Sequence, residues 1–207
     1  MSLDSVKEYF RIGGQFLAEG DAEGLLRYSG EELARVSDAL RTAGSPDSRQ
    51  ELAIDLLSLT ALHSRALAIA QMYADAIATD MMALILLINL KINPEEIADG
   101  YLGLIMETLD TTITATEVVS PEVRSNYFFA ASLLITLSRV SIEHYLKADI
   151  IADKMWPPVL ADLREQETQI PEQLKKHVGD MRPQDALEVF TTVVQLMHDS
   201  GANIDAE

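Results

Sequence analysis

Four histidines, His63, His144, His177 and His198, are the residues of this chain best equipped to hold a metal or move a proton near neutral pH. The sequence contains no cysteine, which excludes thiolate catalysis and thiolate metal sites. A zinc site would then need His and carboxylate ligands at helical spacing, as in His-Glu-x-x-His. That spacing does not occur. The nearest approach is Glu143-His144 followed by Asp149 and Asp153. Asp149 and Asp153 share a helical face, but adjacent residues such as Glu143 and His144 point about 100° apart. The Glu-x-x-His pairs of a di-iron helical bundle are also missing. Nucleophilic and phosphate-binding motifs fare the same way. No Gly-x-Ser-x-Gly elbow is present, and Gly13-Gly14 lies in a helical pattern with no Lys-Ser/Thr behind it. The motifs therefore predict no catalytic residue, no metal site and no cofactor.

His63 is the one histidine set inside an apolar pattern. Leu52, Leu56, Leu59, His63, Ala66, Ala70, Tyr73 and Ile77 recur at alternating spacings of four and three, the stripe that antiparallel helix packing requires. A histidine there is either hydrogen-bonded in the core or lining a pocket. Tyr73 on the same stripe, and Tyr145 on a second one, are the other groups placed to reach such a pocket. The second stripe runs Tyr127, Ala131, Leu134, Ser138, Ser141, Tyr145, Ala148 and Ala152. Its small residues, Ala131, Ser138, Ser141, Ala148 and Ala152, suit close helix approach or a subunit seam. Trp156, before two prolines, is a helix-end plug or an interface anchor.

Helices are expected to carry these residues. Period-2 alternation and Asn-Gly or Asp-Gly hairpin turns are lacking, whereas helix punctuation is abundant. Gly20-Asp21 closes a first helix over about residues 4–19. Ser29-Gly30-Glu31-Glu32 has the spacing of a capping box, and Gly44 can end the helix that follows. Ser45-Pro46, Asn93-Pro94 and Ser120-Pro121 place Pro at a first helical position, and Ile170-Pro171 and Arg182-Pro183 mark two more starts. From Pro46 to Ala78, and from Pro121 to Met155, the patterns run long enough for single helices or for helix pairs with an unmarked turn. Met81–Ile92 is apolar all round and is expected at the centre of the fold, although Met81 and Met82 could also line a deformable groove. Thr108 to Thr116 weaken the end of the helix begun at Pro94.

The expected fold is all-α: one antiparallel bundle or short α–α superhelix of about seven to nine helices across residues 1–207. Ser45-Pro46-Asp47-x-Arg49 recurs as Ser120-Pro121-Glu122-x-Arg124, which is either an internal duplication (45–119 and 120–199) or simply the common look of helix starts. Of the 207 residues, 48% are hydrophobic and 24% charged, proportions of an ordinary globular chain. The net charge of −17 repels phosphate backbones and anionic bilayers, so neither nucleic acid nor membrane is an expected partner. Residues 51–120 carry ten acids against Arg65 and Lys91, which serves solubility or a basic partner. The apolar run Met81–Leu90 covers about half of the ~20 residues a membrane span needs. With no signal-peptide pattern in the first residues, a cytoplasmic protein is expected.

Tyr9-x-x-Ile12-Gly13-x-x-Phe16, followed by Gly20-Asp21, resembles the first helix and turn of a tetratricopeptide repeat. The second helix departs from that pattern, with Leu25 and Glu32 where small residues belong. Ala66, Ala70 and Tyr73 could serve as another second helix, but the 34-residue period is not kept. The resemblance implies stacked antiparallel helix pairs with a face that binds other proteins. From it, and from the missing catalytic motifs, a non-catalytic interaction protein is expected. A homo-oligomeric module and a small-ligand sensor or enzyme with an apolar pocket at His63 are the alternatives.

Overall fold

The computed structural model describes residues 2–151, 155–170, 189 and 191–192. Among them the chain is all-α, with seven α-helices and one 3-10 turn. In order these are α1 (Ser2–Glu19), α2 (Ala22–Thr42), α3 (Pro46–Ile69), α4 (Tyr73–Asn89), the 3-10 turn Pro94–Ile97, α5 (Ala98–Val118), α6 (Pro121–Lys147) and α7 (Trp156–Glu167). The starts at Pro171 and Pro183 lie outside the described residues. The chain divides into two compact units, residues 1–104 and 105–207. That division falls inside α5.

Helix starts follow local chemistry. Asp21 caps α2 by accepting from the Gly24 amide at 2.8 Å, and Ser45 caps α3 by accepting from the Ser48 amide at 3.2 Å. Asn93 accepts from the Glu95 amide and opens the 3-10 turn, after which α5 runs on to Val118. Its threonines do not loosen it. Thr112 donates to the Thr108 carbonyl at 2.6 Å, and Thr108, Thr111, Thr112 and Thr116 are all buried.

One predicted start is overturned. α2 runs unbroken through Ser29, which is fully buried and donates its hydroxyl to the Leu25 carbonyl at 2.6 Å. A serine that bonds back one turn satisfies itself inside a helix, so the capping-box spacing there has no capping role. Gly44 follows the end of α2 without adopting a left-handed conformation; among the described glycines only Gly20, with φ +71°, does so.

The first long stretch is a helix pair, α3 followed by the start of α4, whereas the second holds the single helix α6, which ends at Lys147. The first breaks at Ala70–Met72, where Gln71 takes φ 61° and the Met72 amide reaches back to the Leu67 carbonyl at 2.9 Å. This is a left-handed helix ending of the kind usually made by Gly or Asn. Lys91 (φ 55°) ends α4 and Asp149 (φ 58°) ends α6 in the same way. A side chain in that conformation costs roughly 1–2 kcal/mol. Gln71→Gly is therefore expected to raise the unfolding free energy by about 1 kcal/mol after the extra entropy of glycine in the unfolded chain is deducted. Urea unfolding of the two chains measures this, and an unchanged or lower midpoint would refute it.

In the first unit the central helix is α3, which packs against α1, α2, α4 and the 3-10 turn. It is long and apolar enough to cross a bilayer by length and composition, but Ala53, Leu56, Leu59, Leu62 and Ala66 are buried by its neighbours. α1 approaches closely at Gly13, where a Cβ would lie 2.6 Å from Leu62 Cδ1. The glycine thus brings α1 onto α3. Leu25, Leu62 and Ala66 form a buried cluster with Phe16, Leu26 and Tyr28 packed around it. α4 is not covered on every side as its composition suggests: Met81 is 2% exposed, while Met82 is 70% exposed.

In the second unit α7 packs on α6. Arg139 Nη1 donates to Glu143 at 3.0 Å and Arg164 Nη2 donates to the same carboxylate at 2.8 Å. Arg139 Nε also sits 2.7 Å from Glu167 Oε2, an ion pair too poorly aligned to be a hydrogen bond. Glu143, grouped with His144 as a conceivable ligand in the sequence, thus serves to fasten α7.

Candidate functional site

Within the first unit, α2 and α4 lie on α3 without closing over it, and a groove of about 450 Å³ remains between them. Leu56, Thr60 and His63 of α3 form its floor. Leu33, Ala34, Ser37, Asp38 and Arg41 of α2 form one wall, and Thr79, Met82, Ala83 and Leu86 of α4 the other. The spacing explains the shape. Residues 30, 33, 34, 37, 38 and 41 lie on one face of α2, spanning about 16 Å at 1.5 Å per residue. Ala34 leaves room on that wall, and the exposed Met82 forms the rim opposite. Asp38 and Arg41 neutralise one another across 2.9 Å.

His63 stands in the floor with one edge turned to α2. Its Nδ1 is 2.8 Å from Ser29 Oγ, and a Cβ on Gly30 would lie 3.4 Å from its Cε1. It is both hydrogen-bonded and pocket-lining, the two roles that its place in an apolar stripe left open. Burial holds its pKa below the usual histidine range, so the ring is neutral at neutral pH. The titratable or charged groups sharing the groove are Asp38 and Arg41 on α2; the α4 wall contributes none.

A serine and a histidine 2.8 Å apart have the spacing of a nucleophile and its base. Ser29 cannot act as one. It is 0% exposed, and its only proton is engaged by the Leu25 carbonyl, so no substrate carbon can reach the oxygen. No cluster of three or more metal-ligating side chains exists among the described residues. Ser29 therefore offers no attacking group.

The other residues singled out in the sequence fall elsewhere. Tyr73 is the first residue of α4, half-buried and outside the groove lining. Tyr145 lies in the second unit and is buried. His144 is exposed, with its ring 5.5 Å from that of Tyr145; His177 and His198 lie outside the described residues. Ala131, Ser138, Ser141 and Trp156 present no surface to a partner, since each is at most 6% exposed. Small residues let neighbours approach, so they end inside the chain. The exposed apolar residues of α6 are Phe128 and Phe129. Ala148 is exposed and Ala152 is outside the described residues.

His63 makes stability depend on pH in a defined direction. Its folded pKa is depressed, so between that value and an unfolded pKa of about 6.5 the unfolded chain binds a proton that the folded chain does not. Stability is therefore lost as pH falls through this window. Asp55 works oppositely: burial raises its carboxyl pKa, so acidification relieves a cost. Comparison with His63→Leu separates the two. Between about pH 7.5 and pH 5.5 the wild-type urea midpoint is expected to drop relative to that of the variant. Parallel pH dependence would contradict the assignment.

No family model, no curated protein and no solved structure matches this chain.

Proposed function

We propose that the chain is a non-catalytic binding protein whose α2–α3–α4 groove receives an apolar-striped helix of another polypeptide. The observation that carries this reading is the groove itself, with Met82 70% exposed on its rim. Its volume of about 450 Å³ falls in the ~300–1,000 Å³ range of small-molecule pockets, enough for the side chains on one face of a helix rather than for the whole helix. A trough about 16 Å long between two helices matches two to three turns of a third, read through residues three and four apart. Methionine suits the purpose because its unbranched side chain adapts to the partner's shape. The likeness of α1 and its turn to a tetratricopeptide repeat points the same way, toward an interaction module. The net charge of −17 favours a partner with a basic flank.

The test is a photo-reactive residue at position 82, with a control at the exposed Glu165 in the second unit, followed by sequencing of whatever is joined. Adducts concentrated at position 82 and mapping to one segment with apolar residues at helical spacing are expected. No adduct, or equal adducts at both positions, would refute the proposal. A second reading, a small apolar ligand, is favoured by the half-buried His63 in the floor; native mass spectrometry of the purified chain would reveal it as added mass.

A further inference from the structure

We infer that the groove selects an occupant carrying an uncharged hydrogen-bond donor within its apolar surface, and that Nε2 of His63 is the atom that accepts from it. This rests on the binding reading above and names the chemistry of the helix it receives: an apolar stripe interrupted by a side chain such as tryptophan, whose indole N–H is such a donor.

The Ser29 hydroxyl has a single proton, and the shortest acceptor available to it is the Leu25 carbonyl at 2.6 Å. With that proton committed, Ser29 Oγ meets His63 Nδ1 at 2.8 Å through a lone pair, and Nδ1 must supply the proton between them. A neutral imidazole carries only one N–H, so Nε2 is left as an acceptor. The Nδ1–Cε1 edge is the one against Ser29 and Gly30, and no further hydrogen bond is made by the ring among the described residues. The helix backbone thus fixes the tautomer through Ser29. Burial, which keeps the ring uncharged, preserves the acceptor at neutral pH.

The surrounding floor and walls sharpen the consequence. Leu33, Ala34, Leu56, Met82, Ala83 and Leu86 offer no donor to Nε2; Thr60 and Thr79 donate to the Leu56 and Asp75 carbonyls, Arg41 is paired with Asp38, and Ser37 lies about two turns along α2 from the Gly30 that packs on the ring. An apolar occupant lacking a donor would seal this acceptor from water with nothing in exchange, which is penalised more heavily than a hydrogen bond is rewarded. A cationic donor would lose its hydration in an apolar trough. The neutral donor is the case that satisfies both.

The test uses the full-length chain with [15N]histidine and two probes of one shape, indole and 1-methylindole, the second lacking the N–H. In the free protein the His63 nitrogens are expected to show a protonated Nδ1 and a bare Nε2. Indole should shift the Nε2 resonance and bind about fivefold to tenfold more tightly than 1-methylindole. In His63→Leu the two probes should bind within about twofold of one another. In Ser29→Ala, where Nδ1 loses its acceptor, the proton should move to Nε2 and the preference for indole should vanish. A purely structural serine would leave the tautomer unchanged. A wild-type ring protonated at Nε2, equal affinities, absence of binding by both probes, or a preference that survives His63→Leu would each overturn the inference. Equal affinities would leave the helix-receiving groove standing. Discrimination by the indoles without any adduct at position 82 would uphold the acceptor and replace the polypeptide by a small molecule.

Discussion

Replacement of Leu25 by alanine is expected to lower the unfolding free energy by about 2–5 kcal/mol, the usual cost of emptying a fully enclosed leucine site. Leu25 is 0% exposed and joins Leu62 and Ala66, with Phe16 on α1 and Tyr28 on α2 packed around them. The cavity would open where α1, α2 and α3 meet. Collapse is restricted there, because Gly13 already brings α1 so close that Leu62 fills the space. Helical circular dichroism against urea measures the effect. Arg27→Ala, at an exposed position of the same helix, is the control and should fall within about 0.5 kcal/mol of wild type. Similar losses in both variants would mean that this cluster is not the core of the first unit.

The second large effect concerns binding. Met82→Lys keeps a good helix former at a 70% exposed position, so stability should stay within about 0.5 kcal/mol. For the partner, the change replaces a pliable apolar rim with a charge that must be desolvated. A loss of about 2 kcal/mol, roughly 30-fold in affinity, is expected of a central interface anchor. Ala34→Phe attacks the same groove from the opposite wall. It adds bulk where the chain leaves room and should weaken binding comparably without disturbing the core, because Ala34 is exposed. Effects from both walls would be hard to reconcile with a site anywhere else.

Much of this architecture is legible in the residues themselves. Alternating spacings of three and four gave the helices, and Ser45-Pro46 and Ser120-Pro121 gave two of their starts. Gly20 marked a turn that does take a left-handed conformation. His63 could be singled out because a polar side chain inside an apolar stripe must be satisfied or put to use. Other features were hidden for physical reasons. Gln71, Lys91 and Asp149 end helices in the left-handed region without glycine, so nothing in composition announces them. Ser29 mimics a helix cap, and only the 2.6 Å bond to the Leu25 carbonyl shows that it lies mid-helix. Met81 and Met82 were both open to lining a groove, but which of the two is exposed depends on how α2 and α4 stand on α3. That arrangement is set by tertiary packing and leaves no mark on local sequence. The same holds for Leu33 and Ala34, which look like any amphipathic face until the opposite wall is in place.

The proposed occupant of the trough between α2 and α4 is a helix from another polypeptide. The most direct test takes the segment joined at position 82, made as a synthetic peptide, and measures its affinity for the wild-type chain and for Ala34→Phe. Binding to the wild type with at least a tenfold loss in the variant is the predicted result. Equal affinity for the two chains would place the contact outside the groove and contradict the account.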